Sequence, residues 1–371
     1  MHVMTIVGTR PEIIKLSRVM ARLDEHVNHT IVHTGQNYDY ELNEIFFEEL
    51  GIRRPDHFLN AAGTNAAATI AKVIEKTDEL FESQVPDALL ILGDTNSCLC
   101  AVSAKHRKIP IFHMEAGNRS FDQRVPEEVN RKIVDHLSDV NMTYTEHARR
   151  NLIAEGFPTD RIFKTGSPQK EILDHYAPLI NASTVHSRLG ITAGKYLVVS
   201  LHRQENVDSE LHLRSLVDTL NAVATRFDMP LVMSLHPRTR KRLEAANLTL
   251  DRRVITVAPL GLPDYVQLQR DSFCTLSDSG TITEESSLLG FPAVTLREAH
   301  ERPEGVDEGV LVMTGVSAQS VVAAIDITRQ QFETVGPAPT PPDYLVDNVS
   351  WKVLKIILSY TEYVNRRVWL K

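Results

Sequence analysis

The 371-residue sequence is short of most features that would tie a chain to metals, disulfides, membranes or nucleic acid. It has three cysteines, Cys98, Cys100 and Cys274. Their spacing suggests no zinc site, so they read as small buried apolar residues in a protein of the reducing cytoplasm. Lys and Arg number 40 against 48 Asp and Glu, a net charge of −8. That balance favours neither nucleic acid nor an acidic membrane surface as partner. No apolar run is long enough to span a bilayer. The N-terminal stretch MHVMTIVGTRPEIIK enters a strand pattern directly, with no basic leader before it. No GxGxxG is followed by an acidic residue about 20 positions on, so a dinucleotide cofactor is not supported. The Gly8 turn lacks the GKS/T ending of a P-loop. No HExxH or Cys/His cluster is present, so no metal is expected.

What remains is an ordinary soluble composition, 42% apolar and 24% charged. The chain is too long for one ordinary core, which predicts two domains. Short apolar runs alternate with helical periodicity throughout. Strands are expected over 3–7, 30–32, 88–92, 111–113, 141–144 and 162–164, then over 197–201, 231–235, 254–257, 272–276 and 293–296. The βα period predicts parallel sheets covered by helices on both faces. The weakly patterned stretch 176–189 reads as a connector. The expected division is 1–180, 181–350 and a terminal helix, 351–371, that returns to the first domain.

Several strands end in turns rich in chemistry. In 276–305 a buried strand runs into Ser277-Asp278-Ser279-Gly280-Thr281, then a helix over 282–289. Strand, Ser/Gly turn and helix N-terminus together form an anion site, because free N–H groups and the positive dipole end converge there. Glu284 and Glu285 lie in the first turns of that helix. Past the next strand come Arg297, Glu298, His300, Glu301, Arg302 and Glu304. Ligands of open α/β sheets bind at such strand ends; the bland alternative is a surface loop of paired charges. Gly8-Thr9-Arg10-Pro11 repeats the strand, turn and helix pattern, with Arg10 and Lys15 adding positive charge. Asp94 and Glu115 follow successive strands and are expected to share a crevice. Pro126, Glu127 and Glu128 suit a helix N-terminus, and simple capping accounts for both glutamates equally well. Arg131, His202 and His236 complete the polar set. A phosphate held by glycine turns and arginines beside several carboxylates suits a nucleotide-sugar whose diphosphate departs, with the carboxylates as acids or bases.

The blocks VGTRPEIIK (7–15), LGDTNS (92–97), HMEAGNRS (113–120), RVPEEVNRKIVDH (124–136), TGSP (165–168), SLHRQENV (200–207), SDSGTITEESSLLGFP (277–292) and REAHERPEG (297–305) resemble the non-hydrolysing UDP-N-acetylglucosamine 2-epimerase family. They occur in family order through most of the chain. The resemblance implies two Rossmann-like domains in the glycosyltransferase-B architecture, with the ligand between them. It implies a cytoplasmic homodimer, a UDP-sugar substrate, UDP, and neither nicotinamide nor metal. It also implies a reaction: a base takes the C2 proton, UDP leaves C1 to give a 2-acetamidoglycal, UDP adds back, and a proton returns from the other face. By match, Asp94, Glu115 and Glu127 are the acid–base candidates, with His202 beside the diphosphate. Arg10, Lys15, Arg131, His236, Ser279, Gly280, Glu285 and Arg302 match positions of the UDP-sugar site. The lesser alternative for His202 is a satisfied structural histidine.

The departures bear on the substrate. Common members carry SGGIQEE where this chain has Ser279-Gly280-Thr281-Ile282-Thr283-Glu284-Glu285. Their Thr-rich turn before ERPE is replaced by Arg297-Glu298-Ala299-His300, and the segment Gln36-Asn37-Tyr38-Asp39 also differs. These variants look like the branch that converts UDP-2-acetamido-2,6-dideoxy-L-talose to UDP-N-acetyl-L-fucosamine for bacterial surface polysaccharide. The nearest alternative makes UDP-N-acetylmannosamine from UDP-N-acetylglucosamine. A retaining glycosyltransferase, a hydrolysing 2-epimerase and a non-catalytic nucleotide-sugar sensor are the other classes the residues allow.

Overall fold

The structure is a computed structural model and describes residues 1–36, 47, 49–201, 210–235, 237–299 and 301–371. It divides into two units, Met1–Asp174 with Pro342–Lys371, and His175–Pro341. The expected boundaries at 180/181 and 350/351 thus lie a few residues beyond the observed ones.

The first unit is built on a seven-stranded sheet of order β3-β2-β1-β4-β5-β6-β7. Its strands are β1 His2–Val7, β2 Asn28–His33, β3 His57–Phe58, β4 Ala88–Leu92, β5 Ile111–Met114, β6 Val140–Thr143 and β7 Ile162–Lys164. Every pairing is parallel. All of β4 and β5 and most of β1 are buried, so these strands read as continuous apolar runs rather than as alternation. The strand order reverses between β1 and β4, which opens a crevice at their carboxyl ends.

The helix Arg10–His26 starts at Thr9 with Pro11 in its first turn, and buries Ile13, Leu16, Met20 and Leu23 along one stripe. Packed in the same core is the terminal helix Val349–Arg367, through Val349, Val353, Leu354, Ile357 and Val364. At about 1.5–3 kcal/mol for each fully buried aliphatic side chain, this stripe contributes on the order of 10 kcal/mol before entropy is counted. The chain's last helix is therefore an integral part of the first unit's core.

The second unit repeats the topology with six strands, order β10-β9-β8-β11-β12-β13. They are β8 Leu197–Ser200, β9 Leu231–Ser234, β10 Val254–Val257, β11 Cys274–Ser277, β12 Ala293–Thr295 and β13 Val312–Met313. All pairs are again parallel. The order reverses between β8 and β11. Leu197, Val199, Leu216, Leu220, Leu276 and Val294 lie in one buried core of this unit.

The fold class expected from the sequence, two Rossmann-like doubly wound parallel-sheet domains of the glycosyltransferase-B kind, is the fold observed. Two details differ. The stretch 176–189, expected as a connector, lies largely in the helices Gln169–Asn181 and Val185–Leu189. Its apolar stripe starts earlier, at Ile172 and Leu173, and Pro178 inside the helix obscures the pattern. The edge strands β3 and β13 have two residues each, too few for any periodicity to register. Among the described residues, no helix is long and apolar enough to cross a membrane.

Candidate active site

The first unit gathers its chemistry at the switch between β1 and β4. β1 is followed by Gly8, which leaves no room for a side chain as packed: a Cβ there would lie 1.9 Å from Ser97 Oγ and 2.2 Å from Thr34 Oγ1. The chain then turns through Thr9 into the helix that carries Arg10 and Lys15. Glu12, three residues after Thr9, folds back over this turn. Its Oε2 accepts from the Gly8 N–H at 2.9 Å and from Thr9 Oγ1 at 2.8 Å, while Oε1 accepts from Thr95 Oγ1 at 2.8 Å. Thr9 makes no side-chain cap of its own, so the N3 carboxylate alone closes this helix start and reaches beyond it to the β4 turn. Burial pushes the Glu12 pKa up to about 7, although these hydrogen bonds oppose the shift.

Asp94 follows β4, and Arg131, buried in the helix Pro126–Leu137, donates a short hydrogen bond to its Oδ2. The other side of that guanidinium donates to Glu128 Oε2 at 2.9 Å. Asn130 Nδ2 holds the Asp94 carbonyl at 3.0 Å and Asn96 Oδ1 at 3.2 Å. One helix end thus fixes both the charge and the backbone of the Asp94 turn. Glu115 follows β5, the strand beside β4, with Leu92 and Met114 in register. Its Oε2 accepts from Lys15 Nζ at 2.5 Å. Glu115 has φ 63°, in the left-handed region that favours glycine. Gly117 has φ 79°, and a Cβ on it would lie 2.4 Å from the Ala148 carbonyl oxygen.

The structure therefore brings Arg10, Lys15, Asp94, Glu115 and Arg131 to the carboxyl ends of neighbouring strands. It does not bring Glu127 into that hydrogen-bonded group. Glu127 is exposed in the first turn of its helix, whereas the adjacent Glu128 is 1% exposed and holds Arg131 and the Ser120 N–H.

In the second unit β11 ends at Ser277, and Ser279 and Gly280 form the turn before the helix Ile282–Leu289. Ser277 Oγ accepts from the Ser279 N–H at 3.1 Å, and Ser279 Oγ lies 2.9 Å from Thr281 Oγ1. The Ser279 and Thr281 amides are taken up inside the turn, while Thr281 supplies no side-chain cap to the helix, so donors for a ligand come from the helix start. Glu285, buried, accepts from Gln269 Nε2 at 2.7 Å. Arg302 lies 3.1 Å from Glu284, both almost fully buried. Arg297 and Glu301 form a bidentate pair at 2.9 and 2.7 Å, close beneath Gly280. A surface groove is lined by Ser279, Gly280, Thr283, Arg297, Arg302 and Gly305. Val306, Leu311 and Met313 line its other side, so it offers arginine donors for an anion beside an apolar wall. His202, His236 and His300, and most of the altered segment after Gln36, lie outside the described residues.

Reading the sequence singled out neither Glu12, His113 and Asp135 nor the role of Glu128. Glu12 had a usable signal, its three-residue spacing from a Thr N-cap. His113 and Asp135 had none, since their contact joins a strand to a helix 22 residues later. The three cysteines are free and buried, and burial pushes the Cys274 thiol up to about 12. None is poised as a nucleophile.

The model of the UDP-N-acetylglucosamine 2-epimerase family matches residues 21–358. A UDP-2,3-diacetamido-2,3-dideoxy-D-glucuronate 2-epimerase of Pseudomonas aeruginosa is 35% identical over 328 residues, 87% of this chain and 90% of that protein. Among solved structures, the UDP-N-acetylglucosamine 2-epimerase from Rickettsia bellii is 50% identical over the whole of both chains, with a TM-score of 0.92. A Methanocaldococcus jannaschii UDP-GlcNAc 2-epimerase, in complex with UDP-GlcNAc and UDP, is 30% identical, with a TM-score of 0.90 over 97% of this chain and 100% of that one. The chain belongs to the UDP-N-acetylglucosamine 2-epimerase family, the non-hydrolysing isomerases that epimerise UDP-sugars at C2.

Proposed function

We propose that the chain converts UDP-2-acetamido-2,6-dideoxy-L-talose to UDP-N-acetyl-L-fucosamine by elimination and re-addition of UDP, in the supply of bacterial surface polysaccharide. The observation that carries the chemistry is the pair Asp94 and Glu115, at the ends of adjacent parallel strands, each beside its own cation. One carboxylate takes the C2 proton. The electrons form a C1–C2 double bond, and the C1–O bond leaves with UDP. UDP then adds back at C1 while a proton returns to C2 from the opposite face. Two faces require two proton carriers, and Glu127, exposed at its helix start, is the third candidate. The reaction is redox-neutral, so it needs no nicotinamide.

Ser279, Gly280, Glu285 and Arg302 are assigned to UDP, with Arg10 and Lys15 supplying charge as the diphosphate develops it. Arg131 sets Asp94, His202 keeps the place beside the diphosphate that the family resemblance gives it, and His236 keeps its place in the UDP-sugar site. The bound UDP-GlcNAc and UDP of the Methanocaldococcus jannaschii structure support a UDP-sugar as ligand. The L-talo substrate rests on the replaced turns, Thr281 to Thr283 and Arg297 to Ala299. A 6-deoxy sugar also lacks one hydroxyl, so its pocket has less polar demand at that end. The second reading, UDP-N-acetylglucosamine to UDP-N-acetylmannosamine, is favoured by the name of the Rickettsia bellii relative. The reading carries with it a cytoplasmic homodimer, which light scattering and cell fractionation test.

Proton NMR of each UDP-sugar with the protein in deuterated water separates these readings. The L-talo substrate should gain deuterium at C2 and convert, and UDP-N-acetylglucosamine should not. Conversion of UDP-N-acetylglucosamine alone would establish the second reading. Deuterium-free transfer to an acceptor would mean a glycosyltransferase, and steady release of UDP with free sugar would mean a hydrolase.

A further inference from the structure

We propose that His113, anchored by Asp135, is a positioning residue that locks the Asp94 and Glu115 turns into one register for proton transfer at C2. The inference rests on the acid–base roles just proposed for those two carboxylates.

The side chains of His113 and Asp135 are both 0% exposed. His113 Nε2 is 2.7 Å from the carbonyl oxygen of Gly93, the residue before Asp94. A carbonyl only accepts, so Nε2 carries the hydrogen and donates it. On the other side of the ring, Nδ1 lies 3.0 Å from Asp135 Oδ1, an ion-pair contact outside hydrogen-bond geometry that attracts only when Nδ1 also carries a hydrogen. The Asp135 carboxylate accepts from the N–H of Gly117, two residues past Glu115, at 3.3 and 3.2 Å. Arg119 Nη1 donates to the same carboxylate at 2.7 Å and to the Asn118 carbonyl at 2.7 Å. The far side of that guanidinium is gripped by Glu155 at 2.8 and 2.6 Å. One continuous buried chain thus runs from the Asp94 turn, through His113 and Asp135, to the Glu115 turn.

Backbone geometry gives a second, independent reason. Gly93, Glu115 and Gly117 all have positive φ, at 77°, 63° and 79°. For Glu115 that conformation costs about 1 kcal/mol or more and persists only where its surroundings over-determine it. The other side chains of β5 at Ile111, Phe112 and Met114 are apolar. An apolar residue at 113 would fill the core without the desolvation that a buried imidazole and carboxylate incur. It could not tie the Gly93 carbonyl to Asp135.

The test uses two shape variants of the full chain, assayed on whichever UDP-sugar the native protein turns over. The amide of Gln reaches roughly the place of Nε2, and that of Asn roughly the place of Nδ1. His113→Gln gives up the Asp135 contact, so kcat and C2 deuterium uptake should fall about 30-fold or more, although it keeps the Gly93 link. His113→Asn loses it, and kcat and C2 deuterium uptake should fall about 30-fold or more, with KM within about threefold. A kcat within about threefold of native in either variant, or a matching rise in KM, would overturn the proposal. Should His113→Asn not fold, native protein labelled with 15N-histidine decides, with His113→Gln for assignment. A protected Nε2–H on His113 supports the link and an unprotonated Nε2 overturns it. Asp94→Asn and Glu115→Gln are run in parallel. If both keep native C2 exchange, the acid–base assignment falls and the positioning proposal falls with it. If both lose exchange while His113→Asn does not, positioning alone has failed.

Discussion

The Lys15 ammonium, in the second turn of the helix after β1, lies 2.5 Å from the Glu115 carboxylate at the end of β5. The two residues are 100 positions apart, and their side chains are 10% and 12% exposed. The ion pair sets Glu115 beside a cation that an incoming diphosphate would also attract. Phosphate oxygens competing for Lys15 would loosen its grip on the carboxylate as substrate arrives. Glu115→Gln is expected to retain UDP binding, measured by calorimetry, within a few-fold. Its C2 deuterium exchange should fall by about 10²- to 10⁴-fold, the usual worth of a general acid or base. Exchange at the native rate would remove Glu115 from the chemistry.

Arg131 joins two carboxylates, Asp94 and the buried Glu128. Arg131→Met would leave Glu128, 1% exposed, without that partner. Breaking a buried pair in this way costs about 3–5 kcal/mol, read as a loss of unfolding free energy in urea. Pairing the change with Glu128→Gln should recover a large part of the loss. If the double variant is no more stable than Arg131→Met alone, the Glu128 contact is not what Arg131 stabilises.

Glu12 makes stability depend on pH. Burial lifts its pKa from 4.5 to about 7, so between those values the folded chain holds a proton that the unfolded chain has released. Its contribution is fully present below the unfolded value and is lost as pH rises towards 7, about 3 kcal/mol in all. Glu12→Gln keeps the shape and removes the titration. The difference in unfolding free energy, variant minus native, should therefore rise between pH 5 and pH 7 and level off above. A difference that stays flat across that range would show that Glu12 does not hold its proton.

Gly117→Ala places a Cβ 2.4 Å from the Ala148 carbonyl oxygen at a residue with φ 79°. The strain alone is about 1 kcal/mol, and the clash adds to it. Because Gly117 donates to Asp135 two residues after Glu115, kcat should drop together with the melting temperature. A variant as stable and as active as the native chain would mean that the turn relaxes at no cost.

Arg302 lies against Glu284 and lines the groove beside Ser279 and Gly280. Arg302→Gln is expected to weaken UDP binding by about 10-fold or more, the loss of one charge-assisted contact at about 1.4 kcal/mol per decade. The weakening should shrink as salt rises. Equal affinity in the variant would place the diphosphate elsewhere.

Much of this was legible in the residues alone. The βα alternation gave two parallel sheets, because strands buried on both faces must be apolar runs and crossovers must be helices. Gly8, Asp94, Glu115 and the Ser279-Gly280 turn stood out because ligand-facing polar groups can only sit where those runs stop. Helix starts at Arg10 and Pro126 were marked by proline and acidic residues, which act locally. Chain-local chemistry decides such features, so the sequence determines them.

The tertiary structure decided the pairings. Nothing in the order of residues says that Lys15 meets Glu115, that Arg131 reaches Asp94, or that Glu128 rather than Glu127 is the buried glutamate of the pair. Nor does it say that His113 ties the Gly93 carbonyl to Asp135, or which residues of the first core the returning last helix packs against. These contacts join residues tens to hundreds of positions apart. Their energies come from removing charges and hydrogen-bonding groups from water together, and that happens only once the sheets have formed and brought the strand ends side by side.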